Sequence, residues 1–114
     1  MLTIYHNPRC SKSRQTLALL DAANTEHSVH LYLNEPLDPD ELNALKLSLK
    51  VNSFMEMIRT KEPEFKIAKL SATSSEDELL SALVQYPKLL ERPIVSNGTQ
   101  AIIGRPPENV NVLL

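Results

Sequence analysis

Residues 2–20 read LTIYHNPRCSKSRQTLALL and pass from one kind of secondary structure to another within a few positions. Leu2-Thr3-Ile4-Tyr5-His6 alternates apolar and polar side chains as a short strand does, and Asn7-Pro8 breaks the run. A helix is expected to begin near Cys10 or Ser11. Leu17, Ala18, Leu19 and Leu20 give it a broad apolar face, and Asn24 is a plausible stop. Cys10 is the only cysteine of the chain, and Arg9, Lys12 and Arg14 flank it. The first amides of a helix have no intrahelical partner and carry about half a positive charge. A thiol at that position is favoured as thiolate, and the same amides attract an oxyanion. Ser11 and Ser13 add hydroxyl donors in that turn, and His6 at the strand end is within reach of the sulfur by sequence.

The composition narrows what such a site serves. The chain has 114 residues, 42% of them hydrophobic, which is enough for one domain with its own core. A single cysteine closes no internal disulfide. No run approaches the roughly 18 apolar residues of a membrane span, so a cytoplasmic, reducing setting with no membrane attachment is expected, and the thiol stays free. A formal net charge of −2, no tryptophan and 4% aromatics argue against nucleic-acid binding. His27 and His30 read as ordinary strand residues, and no ligand spacing suggests a metal. A monomer is expected.

Outward from the cysteine, His27–Leu33 reads as a second strand, and the helix between the two strands makes a right-handed βαβ unit the favoured connection. The middle of the chain is helical and carries three start signals. Asp38-Pro39-Asp40-Glu41 combines an N-cap, an N1 proline and a capping-box glutamate, predicting a helix to about Val51. Ser53-Phe54-Met55-Glu56 and Ser75-Glu76-Asp77-Glu78 repeat the box, and Pro87 ends the last helix. Glu62-Pro63-Glu64 interrupts the pattern and leaves room for a short extra helix through Lys69. In the last third, Pro93–Ser96 and Thr99–Ile103 flank Asn97-Gly98, which predicts a hairpin with a type I′ turn. Pro106-Pro107-Glu108 opens a final helix of about two turns. The order is βαβ, helices, ββα. It is the α/β layout of a thioredoxin-like mixed sheet with an all-helical insertion at about 37–90, within one domain over 1–114.

Motif spacing excludes several chemistries. A dithiol oxidoreductase needs Cys-x-x-Cys, and the fourth position here is Ser13. A phosphatase loop of the Cys-x5-Arg type would need arginine where Thr16 stands, and with only Gly98 and Gly104 there is no glycine-rich phosphate loop.

Tyr-His-Asn-Pro-x-Cys-x-x-Ser-Arg at 5–14 resembles the opening of the glutaredoxin-dependent arsenate reductase (ArsC) family. Met57-Ile58-Arg59, Glu91-Arg92-Pro93-Ile94-Val95 and Gly104-Arg105-Pro106 resemble its three arginine-bearing segments, in order. The resemblance implies Cys10 as catalytic nucleophile, Arg59, Arg92 and Arg105 as oxyanion ligands, His6 as the histidine activating the thiolate, and a cis Arg92–Pro93 bond. It also implies an enzyme that binds no cofactor and reduces arsenate or a similar oxyanion through a covalent Cys10 adduct. Glutathione is then the reducing co-substrate and glutaredoxin the partner that clears the mixed disulfide. Ser11, Ser13 and Arg14 are expected on the binding side of the loop. Two alternatives stand beside this one: an Spx-like redox regulator of RNA polymerase, and a reductase of another oxyanion or of a glutathionylated substrate.

Overall fold

The computed structural model describes all of residues 1–114. The chain divides into two compact units, Met1–Glu35 with Arg92–Leu114, and Pro36–Glu91.

The first unit is built on a four-stranded sheet of β1 (Leu2–Tyr5), β2 (His27–His30), β3 (Ile94–Ser96) and β4 (Ala101–Ile103), in the order β2-β1-β3-β4. β1 and β2 run parallel, with Leu2 opposite His27 and Tyr5 opposite His30. β3 runs antiparallel to β1, pairing Val95 with Ile4, and β4 antiparallel to β3. The crossover between the parallel strands is α1 (Ser11–Ala22). This is the thioredoxin-like α/β arrangement the sequence order predicts. The period of two in β1 decides its packing: Leu2 and Ile4 are buried, with Leu20 of α1, Val95 and Val110, while Thr3 and Tyr5 point the other way and are half-buried. Leu17, Leu19 and Leu113 close over that core. The chain leaves α1 through Asn24 at φ +53°, a left-handed position that asparagine tolerates better than most residues.

Three local readings need correction. β2 ends at His30, not Leu33. A turn at Leu31 takes over, with the amides of Asn34 and Glu35 donating to the Leu31 carbonyl at 3.0 and 2.9 Å and His30 Nε2 donating to the Glu35 carbonyl at 2.6 Å. The β3–β4 connection is a four-residue loop, Asn97 to Gln100, and only Gly98 has positive φ. The reason is the Asn97 side chain, whose Oδ1 accepts from the amides of Thr99 and Gln100 (3.0 and 2.8 Å) and stabilises a longer turn than type I′. The last helix is a 3₁₀ helix, Pro107–Leu113. Both Arg92–Pro93 and Arg105–Pro106 are cis.

The second unit consists of α2 (Pro39–Leu49), α3 (Pro63–Ile67) and α4 (Glu76–Gln85), with 3₁₀ turns at Phe54–Met57 and Pro87–Leu89. The capping boxes at Asp38, Ser53 and Ser75 all form. The Ser53 box starts only the 3₁₀ turn, because Ile58 leaves it as extended chain and bridges Leu90. Leu42, Leu45, Phe54, Met57, Leu79, Ala82, Leu83, Leu89 and Leu90 are buried. No helix of the chain is long and apolar enough to cross a membrane.

Glu76 ties three of these elements together. Its carboxylate accepts from Ser53 Oγ (2.5 Å), the Phe54 amide (2.9 Å) and Lys46 Nζ (3.0 Å). Ser53 and then the Phe54 amide hold the Glu76 carboxyl below the usual carboxylate range. Glu76→Ala is expected to destabilise this unit by about 1–2 kcal/mol, since the Phe54 amide loses its acceptor and an exposed ion pair adds little. A carboxyl with a depressed folded pKa stabilises above its unfolded pKa and loses that contribution as pH falls through the folded value. The difference between wild type and Glu76→Ala in urea unfolding should therefore shrink on acidification.

Candidate functional site

Cys10 is the N-cap residue of α1, in extended conformation at φ −92° and ψ 123°. It comes there because the loop before it is locked: the Cys10 amide donates to the Asn7 carbonyl (3.0 Å) and the Arg9 amide to Asn7 Oδ1 (3.0 Å). Arg14 Nη1 reaches back from the helix to the Pro8 carbonyl at 2.9 Å. The thiol is free and half-buried. Every other capped start in this chain has an acid in its first turn; α1 has none, and it has no short side-chain cap bond. Its amide dipoles are thus left uncompensated by the protein.

Burial pushes the Cys10 thiol up. The Ser13 amide, the Arg92 guanidinium and the Lys12 amide together outweigh that and hold its pKa below the ordinary thiol value. Arg105 Nη1 lies 3.9 Å from the sulfur and donates to the Arg92 carbonyl at 3.0 Å. Two guanidinium groups from the segments before β3 and after β4 thus meet the helix amides at one sulfur. The rate of Cys10 alkylation against pH should have its midpoint below about 8.5, the free-thiol value. A midpoint at or above that value would overturn the account of the helix end and Arg92 as thiolate-stabilising.

The remaining expected residues fall into distinct positions. His6 is buried, and makes no hydrogen bond to the sulfur. Its Nδ1 lies 2.6 Å from Ser13 Oγ, which also accepts the Asn7 amide at 3.0 Å. Burial, and then the charge of Arg14, lower its pKa, so His6 is neutral at pH 7. Its connection toward the sulfur runs through Ser13, whose amide faces Cys10. The Ser13 side chain is fully buried and turned to His6 and Asn7 rather than outward. Ser11 is exposed at the first helical position, and Arg9 is exposed beside it. Arg59 belongs to the helical unit, where Glu62 holds its Nε at 3.2 Å and Glu91 lies 3.9 Å from Nη1.

One contributor escapes sequence reasoning. Thr16 is fully buried and donates its hydroxyl to the Lys12 carbonyl at 2.9 Å, one turn back along the helix. Nothing in its type marks it; only the Gly104 segment packed against it does.

A lone cysteine at a helix start, with its pKa held down and arginines from two distant segments beside it, has the geometry to receive an anion next to a thiol. Residues 5–113 match the ArsC family. The chain belongs to the ArsC family. It is 43% identical over 112 residues to an arsenate reductase of Haemophilus influenzae, covering 97% of each chain. It is 51% identical over 108 residues to the uncharacterized protein YfgD of Escherichia coli K12, covering 94% of this chain and 91% of YfgD. The solved structure of an arsenate reductase from Vibrio cholerae superposes with a TM-score of 0.93 at 45% identity, over 99% of this ArsC-family chain and 97% of the other.

Proposed function

We propose that this protein is a thiol-dependent arsenate reductase that uses glutathione and glutaredoxin. The observation that carries the proposal is the Cys10 sulfur held between the α1 amides, Arg92 and Arg105. The arsenate reductases among its relatives support the substrate.

Each step follows from a group at the site. The Cys10 thiolate attacks arsenic and displaces an oxygen ligand, which leaves as water once protonated, giving a Cys10–S–As(V) adduct. Planar guanidinium donors match the oxyanion's oxygens and hold it during the attack. Arsenic is still As(V) at this stage. Glutathione then replaces a second oxygen, again lost as water. Collapse of the adduct forms the Cys10–glutathione disulfide and gives two electrons to arsenic, which leaves as arsenite. With Ser13 in place of a resolving cysteine, the disulfide is cleared by an external dithiol, the role of glutaredoxin. The family resemblance adds Arg59 as a third oxyanion ligand. The protein would work in a reducing compartment such as the cytoplasm, and as a monomer.

The test is NADPH oxidation coupled through glutathione reductase, with arsenate, glutathione and glutaredoxin present. Arsenate-dependent turnover is expected, and its absence would sink the proposal.

A further inference from the structure

The chain has two glycines, and they answer different demands. Gly98 sits at φ +98° with open space where a Cβ would stand, so backbone conformation alone calls for it. Gly104 is the reverse case. Its φ lies outside the left-handed region and the residue is buried. A Cβ there would lie 2.6 Å from Thr16 Oγ1, 2.9 Å from Pro93 Cγ and 3.2 Å from Thr16 Cγ2. Neither neighbour can readily step aside. Thr16 is β-branched, fully buried and bonded to Lys12, and Pro93 is a fully buried ring. The Gly104 amide donates to the Pro93 carbonyl at 2.9 Å, which fixes the segment against both.

Both ends of this contact lead to the Cys10 sulfur. On the helix side, Thr16 bonds the Lys12 carbonyl, and the Lys12 amide faces the sulfur. On the strand side, Arg105 follows Gly104, bonds the Arg92 carbonyl and comes within 3.9 Å of Sγ. We propose that Gly104 is a positioning residue: its missing side chain lets the Gly104–Arg105 backbone seat directly on Thr16, and this seating sets how closely Arg105 and Arg92 approach Cys10. The proposal rests on the reading of Cys10 and these arginines as the nucleophile and oxyanion ligands, and adds what spaces them. A side chain at 104 pushes the segment off the helix and carries the guanidinium groups away from the sulfur.

Gly104→Ala is expected to raise the midpoint of Cys10 alkylation by about one pH unit and to weaken arsenate binding, measured by calorimetry without thiol, about tenfold. Adding Thr16→Ala deletes the two Thr16 atoms nearest the new Cβ and should return the midpoint at least halfway. The Pro93 atom stays in place, so the return is partial. In an Arg92→Ala background, Gly104→Ala should add less than half of its own shift, because the displaced segment acts on the thiol chiefly through the Arg92 guanidinium. An unchanged midpoint in Gly104→Ala, no recovery with Thr16→Ala, or full additivity with Arg92→Ala would each overturn the proposal. If Gly104→Ala does not fold, the Thr16→Ala, Gly104→Ala double variant decides: folded with a midpoint below the free-thiol value supports it, while an unfolded protein or a free-thiol midpoint overturns it. The alkylation readout needs neither arsenate nor turnover. A wild type inert toward arsenate would therefore defeat the proposed function and leave this test standing.

Discussion

Cys10→Ser is expected to abolish arsenate-dependent NADPH oxidation, with a loss of at least about 10⁴-fold in turnover, while arsenate still binds. Loss of a nucleophile removes the covalent step itself, and no neighbouring group can replace it, because the chain has no second cysteine and the Ser13 hydroxyl is buried against His6 and Asn7. A serine hydroxyl at the helix start stays neutral, whereas the lowered pKa of Cys10 makes its anion easier to form than that of an ordinary thiol. The α1 amides, Arg92 and Arg105 remain and still attract an oxyanion that no longer meets a negative sulfur. Affinity by calorimetry should stay within about a factor of ten of wild type. Residual turnover above a few per cent, with a purified variant free of contaminating reductase, would mean that Cys10 is not the attacking atom. Loss of turnover and binding together would mean that the substitution disturbs the loop rather than the chemistry.

The placement of Cys10 at the start of α1 was legible in the sequence because its causes are local. A strand break at Asn7-Pro8, a helix start and a thiol at the junction lie within a few residues, and nothing distant is needed to predict that the helix amides meet the sulfur. The Asp38, Ser53 and Ser75 boxes were legible for the same reason, since a cap is an exchange between residues three apart. What Ser53 begins was not, because the 3₁₀ turn gives way where Ile58 finds Leu90, thirty-two positions on. The turn after β3 was misread on the strength of Asn97-Gly98. There the asparagine side chain, not the dipeptide's φ preference, sets the loop length. His6 was placed in the right neighbourhood, but its link to the sulfur through a buried Ser13 depends on the depth of α1 against the loop. Gly104 enters the sequence reading only as the residue before Arg105, and nothing in one dimension says why a glycine stands there. Its meaning lies in an atom of Thr16, eighty-eight residues earlier.

The two arginines make separable demands. Arg92→Ala should lower kcat/KM for arsenate by about 10²–10³-fold, the usual effect of losing a preorganised donor to developing charge. It should also move the midpoint of Cys10 alkylation upward, because the guanidinium is among the groups that offset the burial of the thiol. The sign follows from the thiolate being the reactive form. With a depressed pKa, alkylation is near its plateau once pH exceeds that value, and losing the cation delays the rise to higher pH. Arg105 is exposed, and 3.9 Å is a long contact to sulfur, so Arg105→Ala should weaken arsenate binding more than it moves the thiol titration. Its loss also removes the bond to the Arg92 carbonyl, which gives the two substitutions a shared component. The double variant should accordingly lose less than the product of the single losses. Lysine at 92 keeps the charge but not the planar fork. Arg92→Lys should then restore most of the thiol titration and little of kcat/KM, because the sulfur needs a nearby cation whereas the oxyanion needs two donors at fixed spacing. An Arg92→Lys variant that recovers both would reduce the arginine's role to charge, and equal effects of Arg92→Ala and Arg105→Ala on the titration would remove the distinction drawn between them.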